Sequence, residues 1–302
     1  MKKKNKAIYL LFLMPFVYFA TACFVVWLVK TSGIYPSGSD TMYHVYRGDY
    51  VYNAIKSGNW YPLYDPAWYN GVEILRYWSP FPAYVMAFCQ YLAGGSQFGA
   101  YLFYIGGVCF LGACVWPFIG RGFNRPYLGA FIGLLWFFMP NNLCAIFIEG
   151  NLARSLSMIF LPVFIYSVYK YLYNHKLRYI PLMVFTFLLM ELCHLGYAGM
   201  VAIAVIIYGI VYIIQKGRKK AALDVVISMI FGFMLLGIWL VASLRGGITS
   251  LDNSENMANF FQNLWITINP FERLTRGFEY FYFGFATLVV IVFGILFGYK
   301  KS

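Results

Sequence analysis

Long apolar runs alternate with short polar breaks along the whole chain. The runs fall at about 7–29, 98–119, 126–147, 155–173, 179–196, 198–214, 222–242 and 279–298. A helix needs roughly 20 apolar residues to cross the hydrocarbon core of a bilayer, and most of these runs approach or exceed that length. Their apolar residues are continuous, whereas the strands of a lipid-facing barrel would alternate apolar and polar positions. The pattern predicts an all-α, polytopic transmembrane helical bundle of about eight spans, in a single integral membrane domain over 1–302. The first run follows Lys2, Lys3, Lys4 and Lys6 and continues past any small-residue cleavage point to about Val29. It therefore reads as an uncleaved first span, and Ala20-Thr21-Ala22-Cys23 is only a weak lipobox lookalike.

A further stretch, 80–94, is short, opens Ser79-Pro80-Phe81-Pro82 and closes at Gly94-Gly95. Basic residues decide whether it crosses. If it does not, 15 of the 23 Lys and Arg side chains fall on the cytoplasmic side; if it does, the split inverts to 8 inside and 15 outside. Cytoplasmic loops carry an excess of Lys and Arg. The stretch is therefore expected to be re-entrant or interfacial, with a multi-pass protein in the cell membrane and both termini cytoplasmic. The outer side then holds a long first loop (30–79) with a juxtamembrane helix, a short link (147–154), the turn around His194 to Ala198, and a loop at 243–278.

Composition agrees with this class: 61% of residues are hydrophobic, 22% aromatic and 11% charged. A net charge of +12 would raise nucleic acid as a partner for a soluble protein. Here the basic residues cluster between apolar runs, which the orientation rule explains, so no nucleic-acid partner is expected. Cys23, Cys89, Cys109, Cys114, Cys144 and Cys193 lie in apolar segments without a C-x-x-C, and they read as small buried hydrophobes. No P-loop, H-E-x-x-H, G-x-S-x-G or metal-spaced Cys/His cluster is present.

Against this background the polar positions of the outer segments stand out. Asp40, His44 and Arg47 are spaced i, i+4, i+7, one face of a helix expected from about Thr41 to Ser57. Ser37 or Ser39 would cap it and Gly58 would stop it. Met42, Val45, Tyr46, Tyr52 and Ile55 would face the membrane or a neighbouring loop. A solvated face would produce the same charged spacing. Residues 61–85 are rich in Tyr and Trp and suit a sugar ring, an isoprenoid or the membrane interface. In the second link Asn151 can cap the following helix, which puts Arg154 in its first turn. A cation there opposes the helix dipole unless an anion lies close, either Glu149, a lipid headgroup or a ligand phosphate. Glu191 and His194 sit at i, i+3 near the outer end of the fifth run.

These features resemble the GT-C superfamily of membrane glycosyltransferases, which place an Asp just after the first span in a long aromatic outer loop. A closer similarity is to the bacterial 6-pyruvoyl-tetrahydropterin synthase-related membrane proteins. The matching elements are Asp40, His44 and Arg47; Asn70-Gly71; Tyr77-Trp78-Ser79-Pro80; Glu149-Gly150-Asn151-Leu152-Ala153-Arg154 leading to Leu161-Pro162; His194; and GFEYFYFGFATL at 277–288. No residue supports the pterin chemistry in that family's name. GT-C enzymes are usually longer, so the chain reads as a truncated, fragmentary or minimal member.

The resemblance implies transfer of a sugar from a polyprenyl-phosphate donor to a glycan, lipid or protein acceptor at the outer membrane face. Asp40 would be the base, with Glu149 a second acid positioning the acceptor. His44, Arg47, Arg154 and His194 would contact the substrate. A divalent cation is compatible with this set but not required by it, and no protein metal site is expected. The alternatives are a lipid-linked glycan flippase using Glu191, His194 and Arg154, or an inactive membrane scaffold of a cell-envelope complex.

Overall fold

Helix follows helix with few residues between. In the computed structural model, α1 (Lys2–Ser32) leads to α2 (Thr41–Lys56), α3 (Phe81–Leu92), α4 (Gln97–Gly122) and α5 (Pro126–Trp136). The single turn α6 (Pro140–Leu143) and a π-helix (Cys144–Ile148) come next, then α7 (Leu152–Asn174), α8 (Tyr179–Cys193), α9 (Leu195–Lys216) and α10 (Lys219–Arg245). The structure describes the backbone of residues 2–245 apart from 37, 69, 70 and 77, and side chains of these from residue 12 onward, Pro140 excepted. The run 279–298, the 277–288 stretch, most of the loop 243–278, Ser37, Asn70 and Tyr77 lie outside the described residues. No strand forms among the described residues; one antiparallel bridge pairs Asp65 with Val72.

The seven apolar runs within the described residues all fall on helices, but two differ from simple spans. The run 126–147 breaks at Phe137–Met139, and its two halves are bent by 40°. The run 179–196 yields a helix of 15 residues, about 22 Å long and shorter than the ~30 Å hydrocarbon core. Five described helices are long and apolar enough to cross a membrane, or six if the bent pair is one span. Large apolar side chains stay exposed along α1, α9 and α10, among them Phe16 at 74% and Ile238 at 93%. Contrary to the expectation that every cysteine is buried, Cys23 belongs to this exposed surface on the outward side of α1 and Cys114 and Cys144 are half-buried; Cys89, Cys109 and Cys193 are buried.

Side-chain hydrogen bonds sort the helix ends into two layers. In the first, Ser79 Oγ donates to Glu191 O (2.9 Å), Tyr104 OH to Leu152 O (2.8 Å) and Trp239 Nε1 to Leu75 O (2.7 Å). In the second, Lys170 Nζ donates to Gly122 O (2.5 Å), Tyr212 OH to Leu172 O (2.6 Å) and Tyr171 OH to Asp224 Oδ2 (2.5 Å). The 12-residue α3 starts beside Ser79 and ends where α4 begins, so both its ends belong to the first layer. At about 18 Å it is too short to cross alone.

Charge follows the layers. Asp40, Asp49, Asp65, Glu73, Glu149 and Glu191 all lie towards the first, and Asp224 is the one described acid towards the second. The second carries Arg121, Arg125, Lys170, Lys176, Arg178, Lys216, Arg218, Lys219 and Lys220.

The first layer has its own small core. Val51 of α2, Ile74 and Leu75 of the connecting segment, and Ala83 and Ala87 of α3 are all buried together. Tyr46, Tyr52 and Ile55 pack against them, while Met42 is 57% exposed. Of the expected apolar face of α2, Tyr46, Tyr52 and Ile55 therefore pack under the neighbouring segment, Val45 is buried in the main core, and Met42 is left out. As expected, Gly58 (φ +87°) follows the last turn of α2. The serine cap does not form as expected: Asp40 occupies the cap position, and Ser39 Oγ donates to Asp40 Oδ1 (3.2 Å) and Glu149 O (3.0 Å) instead.

This platform is tied to α7 by backbone. Asp40 N–H donates to Glu149 O at 3.0 Å. A Cβ on Gly38 would lie 2.6 Å from Gly150 Cα, and one on Gly150 would lie 2.1 Å from Thr41 Oγ1. Gly150 also has φ +66°. Gly33 has nearly the same φ (+68°), but a Cβ there would meet nothing within 4 Å. Left-handed backbone costs an L-residue roughly 1–2 kcal/mol. Gly33→Ala should lose about that much, whereas Gly150→Ala should lose clearly more, because the methyl also meets Thr41. Thermal unfolding of the two variants in detergent measures the difference; equal midpoints would mean that the junction gives way freely.

Candidate functional site

Three helices begin at one place. The N-cap residues are Asp40 for α2, Asn151 for α7 and His194 for α9. All three line a cleft of about 430 Å³ at the first layer. Each helix start carries a partial positive charge from its aligned peptide dipoles. Asn151 Oδ1 accepts from Arg154 N (3.0 Å) and His194 Nδ1 from Tyr197 N (3.0 Å), so two of the starts are closed by side chains. At Asp40 no such cap bond forms, and its half-buried carboxylate is left to the cleft.

Aromatic rings make one wall. Tyr43, Trp68 and Trp78 line the cleft, with Tyr43 edge-on to Trp68 at 4.9 Å and to Trp78 at 5.1 Å. Trp68 is held from behind. Tyr46 packs against it at 4.6 Å, tilted by 55°, and donates to Asp65 Oδ2 (2.5 Å), while Asp65 Oδ1 accepts from Ala67 N (2.9 Å). Burial and that bond to Asp65 push the Tyr46 phenol up to about 12, so it remains a donor. Edge-to-face rings of this kind offer apolar faces with polar rims.

His44 lines the cleft with 8% of its surface exposed. Burial, then the charge of Arg47, push its pKa down from 6.5 to about 3, so the ring is neutral. His194 is oriented by the Tyr197 amide. With Nδ1 an acceptor, the proton of the neutral ring sits on Nε2, 3.4 Å from Asn151 Nδ2. The cleft thus combines a carboxylate, two imidazoles, an amide and three rings. Among the described residues no three of His, Cys, Asp and Glu converge as a metal site requires.

The other expected site residues stand beside the cleft, not on it. Arg47 is 1% exposed. Seven residues along a helix is about 10 Å, which carries Arg47 past the opening and beneath the Trp78–Ser79 segment. Its Nη2 donates to Trp78 O (3.2 Å) and Ser79 O (3.4 Å), and the guanidinium faces the Tyr43 and Trp78 rings at 5.3 and 5.8 Å. Arg154 Nη1 meets Glu149 Oε2 at 2.7 Å, so Glu149 is an anion that opposes the dipole-disfavoured cation. Neither lines the cleft. Glu191 is buried in α8, where its backbone carbonyl receives Ser79 Oγ; it too is absent from the lining.

Tyr43, Trp68, Trp78 and Asn151 are site residues that the polar spacing alone did not single out. Tyr43 follows Asp40 by three residues, one helical turn, and that was the available signal. For Asn151 the cap position is legible, but nothing local shows that the cap faces Asp40.

No match was found among curated proteins or among solved structures. A family model described as the 6-pyruvoyl-tetrahydropterin synthase related domain, a membrane protein, matches residues 75–302. That stretch includes Asn151 and His194 of the cleft and the Glu149–Arg154 pair, while Asp40 and His44 precede it. With well over half of the chain matched, the protein belongs to the 6-pyruvoyl-tetrahydropterin synthase-related family of membrane proteins.

Proposed function

We propose that the chain is a GT-C-like glycosyltransferase that moves a sugar from a polyprenyl-phosphate donor to an acceptor hydroxyl at the outer face of the membrane. The observation that carries the reading is the meeting of Asp40, His44, Asn151 and His194 with three aromatic rings in one cleft at three helix starts. A lipid-linked donor stays in the membrane, so its site must open at an end of the bundle, as this cleft does.

In this reading Asp40 accepts the proton of the acceptor hydroxyl as its oxygen attacks the anomeric carbon. The carbon–oxygen bond to phosphate breaks, and its electron pair leaves with the phosphate. Charge developing there is favoured by the positive helix ends and by buried Arg47. Among the described residues no carboxylate forms an ion pair with Arg47, and its Nε has no hydrogen-bond partner. That uncompensated cation favours an anionic group in front of it. Asn151 and the Nε2–H of His194 supply hydrogen bonds to sugar or phosphate oxygens, and Tyr43, Trp68 and Trp78 supply faces for a sugar ring. Glu149 and Arg154 hold the link between Ile148 and α7, and so act by positioning Asn151. Direct substrate contact by Arg47 or Arg154 would need a rearrangement.

Asp40→Asn should lower transfer by about 10²–10⁴-fold, the usual contribution of a positioned base, with insertion into membranes unchanged. The assay is transfer of labelled sugar from polyprenyl-phosphate hexoses into a membrane acceptor fraction. Near-normal turnover in the variant would remove Asp40 from this role.

A second expectation concerns pH. The folded pKa of His44, about 3, lies below its ordinary 6.5. Above pH 6.5 neither folded nor unfolded chain protonates it, and its contribution is flat. Below that value the unfolded chain takes up a proton that the folded one refuses, so stability falls with pH, by up to about 1.4 kcal/mol per unit. The thermal midpoint in detergent should drop between pH 7 and pH 5, and His44→Gln should flatten the drop. An unchanged slope in that variant would show that His44 is not the titrating group.

A further inference from the structure

The end of the bundle opposite the cleft carries an arrangement that the proposed transfer does not use. The α7–α8 turn contributes His175, Lys176 and Arg178, and the α9–α10 turn contributes Lys216, Arg218, Lys219 and Lys220. They are 43 residues apart yet meet directly: Arg218 Nη1 lies 2.5 Å from His175 Nε2. The bonds Tyr212 OH to Leu172 O (2.6 Å) and Tyr171 OH to Asp224 Oδ2 (2.5 Å) hold the helices behind them together. Both described salt bridges of the chain lie at the other end, so no ion pair offsets this cluster among the described residues. Asp224, the nearest acid, is engaged by Tyr171.

Like charges held together call for an anion. The surroundings say which kind. Leu177, between Lys176 and Arg178, is 72% exposed, Ile214 is 79% exposed and Leu223 is 57% exposed. Basic heads beside exposed apolar side chains match a molecule with an anionic head and hydrocarbon chains. A soluble anion would gain nothing from the leucines. Lys and Arg stems also lie readily along acyl chains while their heads reach phosphate.

We infer that the paired α7–α8 and α9–α10 turns form a binding site for an acidic phospholipid. Lys176, Arg178, Arg218 and Lys219 take its headgroup phosphate, and Leu177, Ile214 and Leu223 lie against its chains. With His175 Nε2 accepting from Arg218, the guanidinium bridges the two turns. The lipid neutralises the repulsion that folding concentrates between the two turns.

The test uses the full chain purified in a non-ionic detergent and offered equal amounts of phosphatidylglycerol and phosphatidylcholine, with bound lipid counted by native mass spectrometry. Phosphatidylglycerol should be retained in clear preference, and glycerol 3-phosphate in excess should not displace it. In Lys176→Gln/Arg178→Gln/Arg218→Gln/Lys219→Gln the preference should vanish, while Arg121→Gln/Arg125→Gln at the neighbouring α4–α5 turn should keep it. All six positions lie at helix ends or in turns at a polar face, and unchanged thermal midpoints in phosphatidylcholine establish that both variants fold. Equal retention of the two lipids would overturn the proposal. So would displacement by glycerol 3-phosphate, which would mark a soluble anion site, or equal loss in both variants, which would spread the attraction over the whole basic face.

Discussion

A single main-chain carbonyl, that of Glu149, holds the cleft in shape. It accepts from Asp40 N–H and Ser39 Oγ, both at 3.0 Å, and so ties the start of α2 to the start of α7. The π-helix Cys144–Ile148 delivers it there. Its wider turn ends with Glu149 N–H on Cys144 O (2.8 Å), at the edge of the helix facing the first loop. Such π-turns are rare and concentrate at functional sites. Two glycines make the approach close enough, because Gly38 and Gly150 leave no room for a Cβ on either chain. Two residues, Gly150 and Asn151, then separate this contact from α7. The position of Asn151 relative to Asp40 is therefore set by short, stiff covalent geometry.

Charge is arranged around that junction in two ways. Near the cleft, cations are buried and directed away from the opening: Arg47 into carbonyls and rings, Arg154 onto Glu149. The opening itself keeps one carboxylate and neutral imidazoles at three positive helix ends. An anionic ligand would meet a preformed dipolar field there without a flexible cation in contact. At the other end of the bundle most of the described cations are exposed, and Asp224 is the one acid beside them among the described residues. The same residue types thus do different work, because burial removes the water that screens the first group and leaves it around the second.

Part of this site was legible in the residue order. The period of Asp40 and His44 placed both on one helix face, and they share the cleft. Asn151 read as a cap and caps α7; Gly58 read as a stop and follows α2. Arg47 falls on the same face by spacing but sits about 10 Å further along the helix, so it does not line the cleft with Asp40 and His44. Glu149 and Arg154 read as open to a ligand or to each other, and the structure pairs them. The bend at 137–139 was hidden inside an apolar run of ordinary composition, and the shortness of α8 appeared only when His194 ended it in extended backbone (φ −153°, ψ 95°).

The sequence by itself determined the helical, membrane-embedded character, the separation of charge between bundle ends, and most helix limits. Those properties are local: run length, Gly and Pro positions, and capping side chains act within a few residues. Only the tertiary structure decided that positions 40, 151 and 194 meet. Their meeting depends on backbone groups that every residue carries and on glycines whose importance lies in what packs against them, so no letter in the sequence marks it.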